Sequence, residues 1–278
     1  MIELPEAITI AQQITTELKG KQIMSGVLNS SPHKFAFTGT YSHKEFAALV
    51  KNKKIGTARA EGSVILVTLE PHYVLSLGCG GERILYHTRE KTLPKKHQLL
   101  FHFKDKTYFT VTVSGWGEVR LMEQSDIPNH PHIKDTLSPL SDAFTVSHFN
   151  SLFTTVPETK RVSAKYFLIS EPGIKGVGNG CLQDILYRAK IHPKRQVINL
   201  SHNERQALYK AITYTLTEMV ELGGRDSEHD LYNNPGGYQR ILCSKTAKNP
   251  CRECGTPIKK IQYLGGAVYF CPTCQKAL

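Results

Sequence analysis

Apolar side chains at Ala7, Ile10, Ala11, Ile14 and Leu18 recur with a period near 3.6. They predict a helix over residues 5–18, opened by Pro5 and closed at Gly20. The pattern then shifts to short alternating or β-branched runs at 23–28, 34–37, 63–69, 72–77, 83–87, 98–103, 106–113 and 118–122, separated by turn residues. That spacing predicts an antiparallel β-sandwich or barrel, interrupted by one short helix at 42–51. From Ala143 the helical period returns, with helices expected at 142–153, 161–170, 181–189 and 203–222. Ser201 and Glu204 form a capping box for the last of these. Leu208, Ala211, Ile212, Met219 and Val220 line its inner face, and Gly223-Gly224 stop it.

The expected fold class is α+β and multi-domain: an N-terminal helix with an antiparallel β-sandwich (1–124), a linker (125–141), a helical domain (142–240) and a small C-terminal module (241–278). The linker is polar and carries Pro128, Pro131 and Pro139. His130 and His132 are read as solvated there, because no third ligand lies nearby in sequence. Residues 225–249 read as a polar tether. Leu77-Gly-Cys-Gly-Gly81 is a turn between strands; no helix follows it, so it is not a phosphate-cradling loop.

Charge changes this picture by half. The chain of 278 residues carries a formal net charge of +11. Residues 1–150 hold 17 Lys and Arg against 14 Asp and Glu, while residues 151–278 hold 18 against 10. The basic excess therefore sits in the helical and C-terminal parts and favours a polyanionic partner. No run of eighteen apolar residues occurs, so no membrane span is expected. The N-terminus does not read as a secretion signal.

Four of the seven cysteines form two pairs, Cys251-Arg-Glu-Cys254 and Cys271-Pro-Thr-Cys274, sixteen residues apart. Two C-x-x-C pairs at this separation point to one tetrahedral Zn²⁺ held by four thiolates across a hairpin. Two disulfides, or four unrelated thiols, are the alternatives. A closed four-thiolate site is structural, with no position left for chemistry. The remaining Cys79, Cys181 and Cys243 read as core or half-buried thiols, and this usage suits a reducing, cytoplasmic setting.

Three separated stretches share a further resemblance. Glu3-Leu-Pro-Glu6 opens the first helix. Gly176-Val-Gly-Asn179 with Ile191-His-Pro193 resembles a helix–two-turns–helix motif. The two cysteine pairs, with Gly255-Thr-Pro-Ile258 and Gln275-Lys276, resemble a particular zinc finger. Together they resemble the formamidopyrimidine-DNA glycosylase / endonuclease VIII family across nearly the whole chain. The resemblance implies a monomeric, nucleoid-associated DNA-repair protein with one structural Zn²⁺ and duplex DNA, damaged or abasic, as its partner. The implied activity is base-excision glycosylase and abasic-site lyase chemistry. In the family, the turn and the finger hold the duplex while a nucleotide is extruded into a pocket between domains. Gly176, Gly178 and Asn179, with Lys175, would hold a phosphate at a helix N-terminus; Lys259 and Lys260 would add to that grip from the finger. Standing alone, the glycine-rich turn reads equally as a plain helix–helix turn.

The implied catalytic set lies at the N-terminus, at Met1, Ile2 and Glu3, and here the sequence departs from the family. The family nucleophile is an N-terminal amine, usually of a proline exposed by removal of the start methionine; Ile2 stands there, and Met1 is expected to be retained. The family lysine of an Arg-Ala-Lys stretch is Glu61 in Arg59-Ala-Glu61. A DNA-contacting Arg of the finger is replaced by Gly266, and a void-filling Met by Cys79. Three readings follow: an atypical amine-based glycosylase/lyase with Glu3 as proton shuttle, a non-catalytic binder of damaged or abasic DNA, and a module for structured RNA or a protein assembly.

Overall fold

The structure is a computed structural model and describes residues 1–31, 34–39, 41–133, 137–157 and 159–277. It divides into two compact units. The first comprises Met1–Lys134 and Leu222–Tyr238; the second comprises Asp135–Glu221 and Gln239–Leu278.

In the first unit, helix α1 (Leu4–Leu18) buries Leu4, Ala7, Ile10, Ala11, Ile14 and Leu18, the stripe that its period dictates. Strands β1 (Ile23–Leu28), β2 (Ala36–Phe37), β3 (Lys54–Glu61), β4 (Val64–Glu70), β5 (Tyr73–Gly78), β6 (Glu82–His87), β7 (Leu99–Phe103), β8 (Tyr108–Val113) and β9 (Gly117–Glu123) follow. Helix α2 (His43–Val50) interrupts them, capped by Ser42 and Glu45. The strands form a four-stranded sheet, β1-β7-β8-β6, and a five-stranded sheet, β2-β9-β5-β4-β3. Their apolar faces share one core with α1, including Phe46, Phe101, Phe109, Ile65, Leu75 and Leu77. The sandwich expected from the short-run pattern is therefore present. Strand β3 was not anticipated: Lys-Ile-Gly-Thr-Ala-Arg-Ala-Glu alternates poorly, and its register against β4 shifts between Ile55 and Ala58.

Leu222–Tyr238 corrects the expectation of a loose polar tether beginning at Arg225. Gly223 and Gly224 stop the preceding helix with φ of +72° and +100°. The chain then packs into the first unit: Leu231 is fully buried in its core, and the Tyr86 N–H donates to the Leu231 carbonyl at 2.9 Å.

The second unit contains α3 (Val146–Thr154), α4 (Ala164–Ile169), α5 (Cys181–Arg188), α6 (His202–Glu221) and a hairpin of β10 (Lys259–Tyr263) with β11 (Gly266–Phe270). The Ser201 and Glu204 capping box is formed. Helix α6 buries Leu208, Ala211, Ile212 and Met219 as expected, together with Thr215 and Leu216, while Val220 is only half-buried. Among the described residues no helix is long and apolar enough to cross a membrane. Residues 134–136 of the expected linker lie outside the described residues.

Candidate nucleic-acid interface and N-terminal cluster

The four Sγ atoms of Cys251, Cys254, Cys271 and Cys274 all lie within 4.8 Å of one another. Cys254 and Cys271 are 3.4 Å apart, and Cys251 and Cys274 3.9 Å. Zn–S bonds near 2.3 Å in a tetrahedron require S–S separations of about 3.8 Å, so the cluster fits a structural Zn²⁺. The Thr256 hydroxyl, 3.4 Å from the Cys254 sulfur, pulls that thiol down to about 6, which favours the thiolate a metal needs. Tyr187 on α5 places its hydroxyl 3.2 Å from the Cys251 sulfur, tying the finger to the helices behind it.

The glycine-rich turn and the hairpin meet in the second unit. Asn179, just ahead of α5, donates its side-chain amide to the Ala267 carbonyl at 3.0 Å. Gln183, one turn on, donates to the same carbonyl at 3.1 Å and accepts from the Tyr269 N–H at 3.0 Å. The side-chain amide of Asn179, the expected phosphate donor, is thus engaged with the finger. A Cβ added at Gly266 would meet the Asn179 amide at 3.4 Å, so the position that carries Arg in the family lies against this contact. Gly176 takes a φ of +75°. Lys175 is half-buried, Gly178 is half-buried, and Lys259 and Lys260 are exposed.

The N-terminal cluster belongs to the first unit. The Ile2 side chain is in the core, and its N–H donates to the Gly80 carbonyl at 2.9 Å. The Met1 ammonium lies 2.6 Å from Glu228. Glu3 and Glu6 are both buried, and Arg225 answers both. Its Nε and Nη2 fork onto the two Glu6 oxygens at 3.0 and 2.7 Å, and its Nη1 donates to Glu3 Oε1 at 3.0 Å. Nη2 also donates to the Met1 carbonyl at 2.8 Å. Glu6 in turn accepts the Glu3 N–H at 3.0 Å, closing the start of α1. Arg225 and Glu228 lacked any sequence signal, since both sit more than two hundred residues from their partners.

Glu82, in the same region, accepts the N–H groups of Gly80 and Glu118 at 3.0 and 2.8 Å. Burial raises its carboxyl to about 7 against those bonds. Glu61 sits beside Arg59 at 3.3 Å. Cys79 is half-buried, and burial, with Glu118 and Glu82 nearby, pushes its thiol up. His130 corrects the expectation of a solvated histidine. It is buried, with Nε2 2.6 Å from Glu118 Oε1 and 2.9 Å from the Ser76 hydroxyl. Its Nδ1 accepts the His132 N–H at 3.1 Å, which assigns the proton to Nε2. Burial pushes Glu118 up, and the His130 and Ser76 contacts carry it below the ordinary carboxylate range. The proline-rich sequence hid this network because its partners sit on β5 and β9. Beside it, Trp116 packs 5.6 Å from Phe37 and 5.1 Å from His132, a partly exposed ring cluster that periodicity did not mark.

Comparisons with known proteins cover the same parts. Residues 1–137 match the formamidopyrimidine-DNA glycosylase N-terminal domain, 136–230 its H2TH domain, and 248–277 the zinc finger found in FPG and IleRS. The chain is 32% identical to the formamidopyrimidine-DNA glycosylase of Cytobacillus firmus over 99% of its own length and 100% of that protein. It is 31% identical to that of Listeria innocua over 99% and 100%. Among solved structures, Lactococcus lactis Fpg in complex with abasic-site DNA superposes with a TM-score of 0.84 at 22% identity, over 99% of both chains. The same enzyme with FAPY-dG DNA gives 0.85 at 21%, over 99% of this chain and all of that one. Its three matched segments and these full-length relatives place the chain in the formamidopyrimidine-DNA glycosylase family.

Proposed function

We propose that this chain binds damaged or abasic duplex DNA without forming a covalent amine intermediate. The observation that carries the reading is the hold of Arg225 on Glu3. The resemblance assigns proton transfer to Glu3, and here its carboxylate is buried and engaged by a guanidinium at 3.0 Å. A shuttle needs access to a substrate and freedom to exchange its proton. With Met1 in place the Ile2 nitrogen is a peptide amide, which is no nucleophile, and its N–H donates to the Gly80 carbonyl at 2.9 Å.

DNA binding is supported by the basic excess of residues 151–278 and by the joined turn and finger. The structural neighbours are Fpg bound to abasic-site and FAPY-dG DNA. In this reading the glycine-rich turn at Gly176 and Gly178 lets a phosphate approach the N-terminal end of α5, where the helix dipole favours an anion. Asn179 sets the finger's position, and Lys175, Lys259 and Lys260 add charge.

The test incubates the protein with an abasic duplex and borohydride, while anisotropy measures binding to the same duplex. The expected result is tight binding with no covalent adduct; a trapped adduct overturns the reading. One observation favours a second reading, amine catalysis, since Glu228 at 2.6 Å is placed to accept the ammonium proton. In that case adduct forms with the native chain and is lost with Glu228→Gln. Intact mass shows which residue carries the amine.

A further inference from the structure

Three turns meet at one end of the first unit, and each is edged with lysine. Lys19 and Lys21 flank Gly20 after α1. Lys51, Lys53 and Lys54 surround Asn52 between α2 and β3. Lys104 and Lys106 flank Asp105 between β7 and β8. Backbone hydrogen bonds draw the three together around Gln22. The Lys104 N–H donates to the Gln22 carbonyl at 2.9 Å, the Ile55 N–H to the Lys21 carbonyl at 3.0 Å, and the Ile23 N–H to the Lys53 carbonyl at 2.9 Å. The Gln22 side chain donates to the Asn52 carbonyl at 2.9 Å. Seven lysines from three separate stretches of sequence thus share one surface.

Carboxylates answer few of these charges. Asp105 pairs with Lys21 at 2.5 Å, and Glu70 stands opposite Lys54 in the β3–β4 ladder. Lys19, Lys51, Lys54, Lys104 and Lys106 are exposed and enter no ion pair among the described residues. Residues 1–150 nearly balance 17 Lys and Arg against 14 Asp and Glu, so the patch leaves the rest of that stretch slightly acidic. A solvated charge run sits on one element among acids; here the charges come from three turns and converge. Lys106 also holds a φ of +66°, a left-handed position that Gly or Asn fills at less cost. A cation kept there against local preference is a reason to look for function. The patch lies at the C-terminal end of α1, and Met1, Glu3 and Glu6 lie at its start. The 15 residues of that helix separate the two ends by about 22 Å.

We propose that this patch binds the phosphate backbone of a second duplex segment, so that a chain seated on damaged DNA also tethers DNA nearby. Lysines are compact point charges that hold phosphates without reading sequence. The rings in reach are only half-buried Tyr73 and Tyr86, which lie under Lys53 and Lys21. The surface therefore offers charge and no stacking platform, which favours a duplex backbone over unstacked bases. A duplex already held by the second unit raises the local concentration of such backbone. The inference goes beyond the DNA-binding reading and rests on it.

The experiment uses the full chain with zinc bound. A short abasic duplex is immobilised, loaded with chain, and then offered a labelled intact duplex across a series of salt concentrations. The native chain should retain the second duplex, and sedimentation should give one chain for each pair of duplexes. The variant combines Lys19→Gln, Lys51→Gln, Lys104→Gln and Lys106→Gln. It should melt near the native temperature and bind the immobilised duplex with native affinity. Its affinity for the second duplex should fall roughly tenfold or more, and the slope of log affinity against log salt should drop by up to about 3.6, at about 0.9 per lost contact. A second duplex held equally by both chains, or not held by a native chain seated on its abasic duplex, overturns the patch and leaves DNA binding standing. Two chains for each pair of duplexes would mean self-association and overturn it as well. So would capture of phosphatidylserine vesicles in preference to the duplex through the same lysines. A native chain that does not bind the immobilised duplex overturns the DNA-binding reading, and the tether with it.

Discussion

Arg225 is among the largest fully buried side chains in the chain, and its guanidinium reaches oxygens of Met1, Glu3 and Glu6. Removing one partner of a buried ionic set leaves charge without compensation. Arg225→Met is therefore expected to destabilise the first unit by about 3–5 kcal/mol, read from the denaturant midpoint; a loss below about 1 kcal/mol would mean the two carboxylates recover water. Glu82 makes a pH statement. Its folded carboxyl titrates near 7, above the ordinary 4.5, so its contribution is complete below 4.5 and is lost as pH rises through 7. Stability should fall by up to about 3 kcal/mol between pH 5 and 9 from this group, and Glu82→Gln should flatten that slope in urea titrations. None of these partnerships was legible in sequence. In sequence Glu3 and Glu6 only open the first helix, and the folded chain alone brings Arg225 to them.

At the scale of elements, legibility followed local pattern. Helix α1 was legible because one face carries every third or fourth apolar residue, and α6 because Ser201, Glu204 and the two glycines mark both ends. Strand β3 was not, because its burial alternates poorly across a register shift. The finger was legible from four cysteines alone, since the metal fixes what two short strands cannot. A two-stranded hairpin is marginal in water, and its satellite core is small: Tyr187, Leu242, Cys251, Ile258, Tyr269 and Cys271. Cys254→Ser is thus expected to lose bound Zn²⁺ and the β10–β11 amide protection in hydrogen exchange, while protection in β4 and β5 stays native. A variant that keeps the hairpin protected without metal would contradict the structural role of the site. Asn179 was legible as a marked residue of the turn, whereas its side-chain bond to Ala267, 88 residues away, was not.

For the molecule as a whole, charge is unevenly placed: residues 151–278 carry 18 Lys and Arg against 10 Asp and Glu, residues 1–150 nearly balance. If the partner is duplex DNA, this imbalance has a measurable consequence, because each neutralised phosphate releases counterions and steepens the dependence of affinity on salt. Lys259 and Lys260 sit exposed on β10 of the hairpin, and the proposed grip counts both as phosphate contacts. Replacing both with Gln should reduce the slope of log affinity against log salt by about 1.8, at about 0.9 per lost contact. The comparison is Lys53→Gln with Lys54→Gln in the first unit. There Lys53 lies over the Tyr73 ring, 4.8 Å from its centroid, and Glu61 replaces the family lysine at the far end of β3. That pair should change the slope by less than about 0.5. Equal changes from the two double variants would mean that the basic excess of the second half is a solvated surface, and the phosphate grip would then have to be sought elsewhere on the chain.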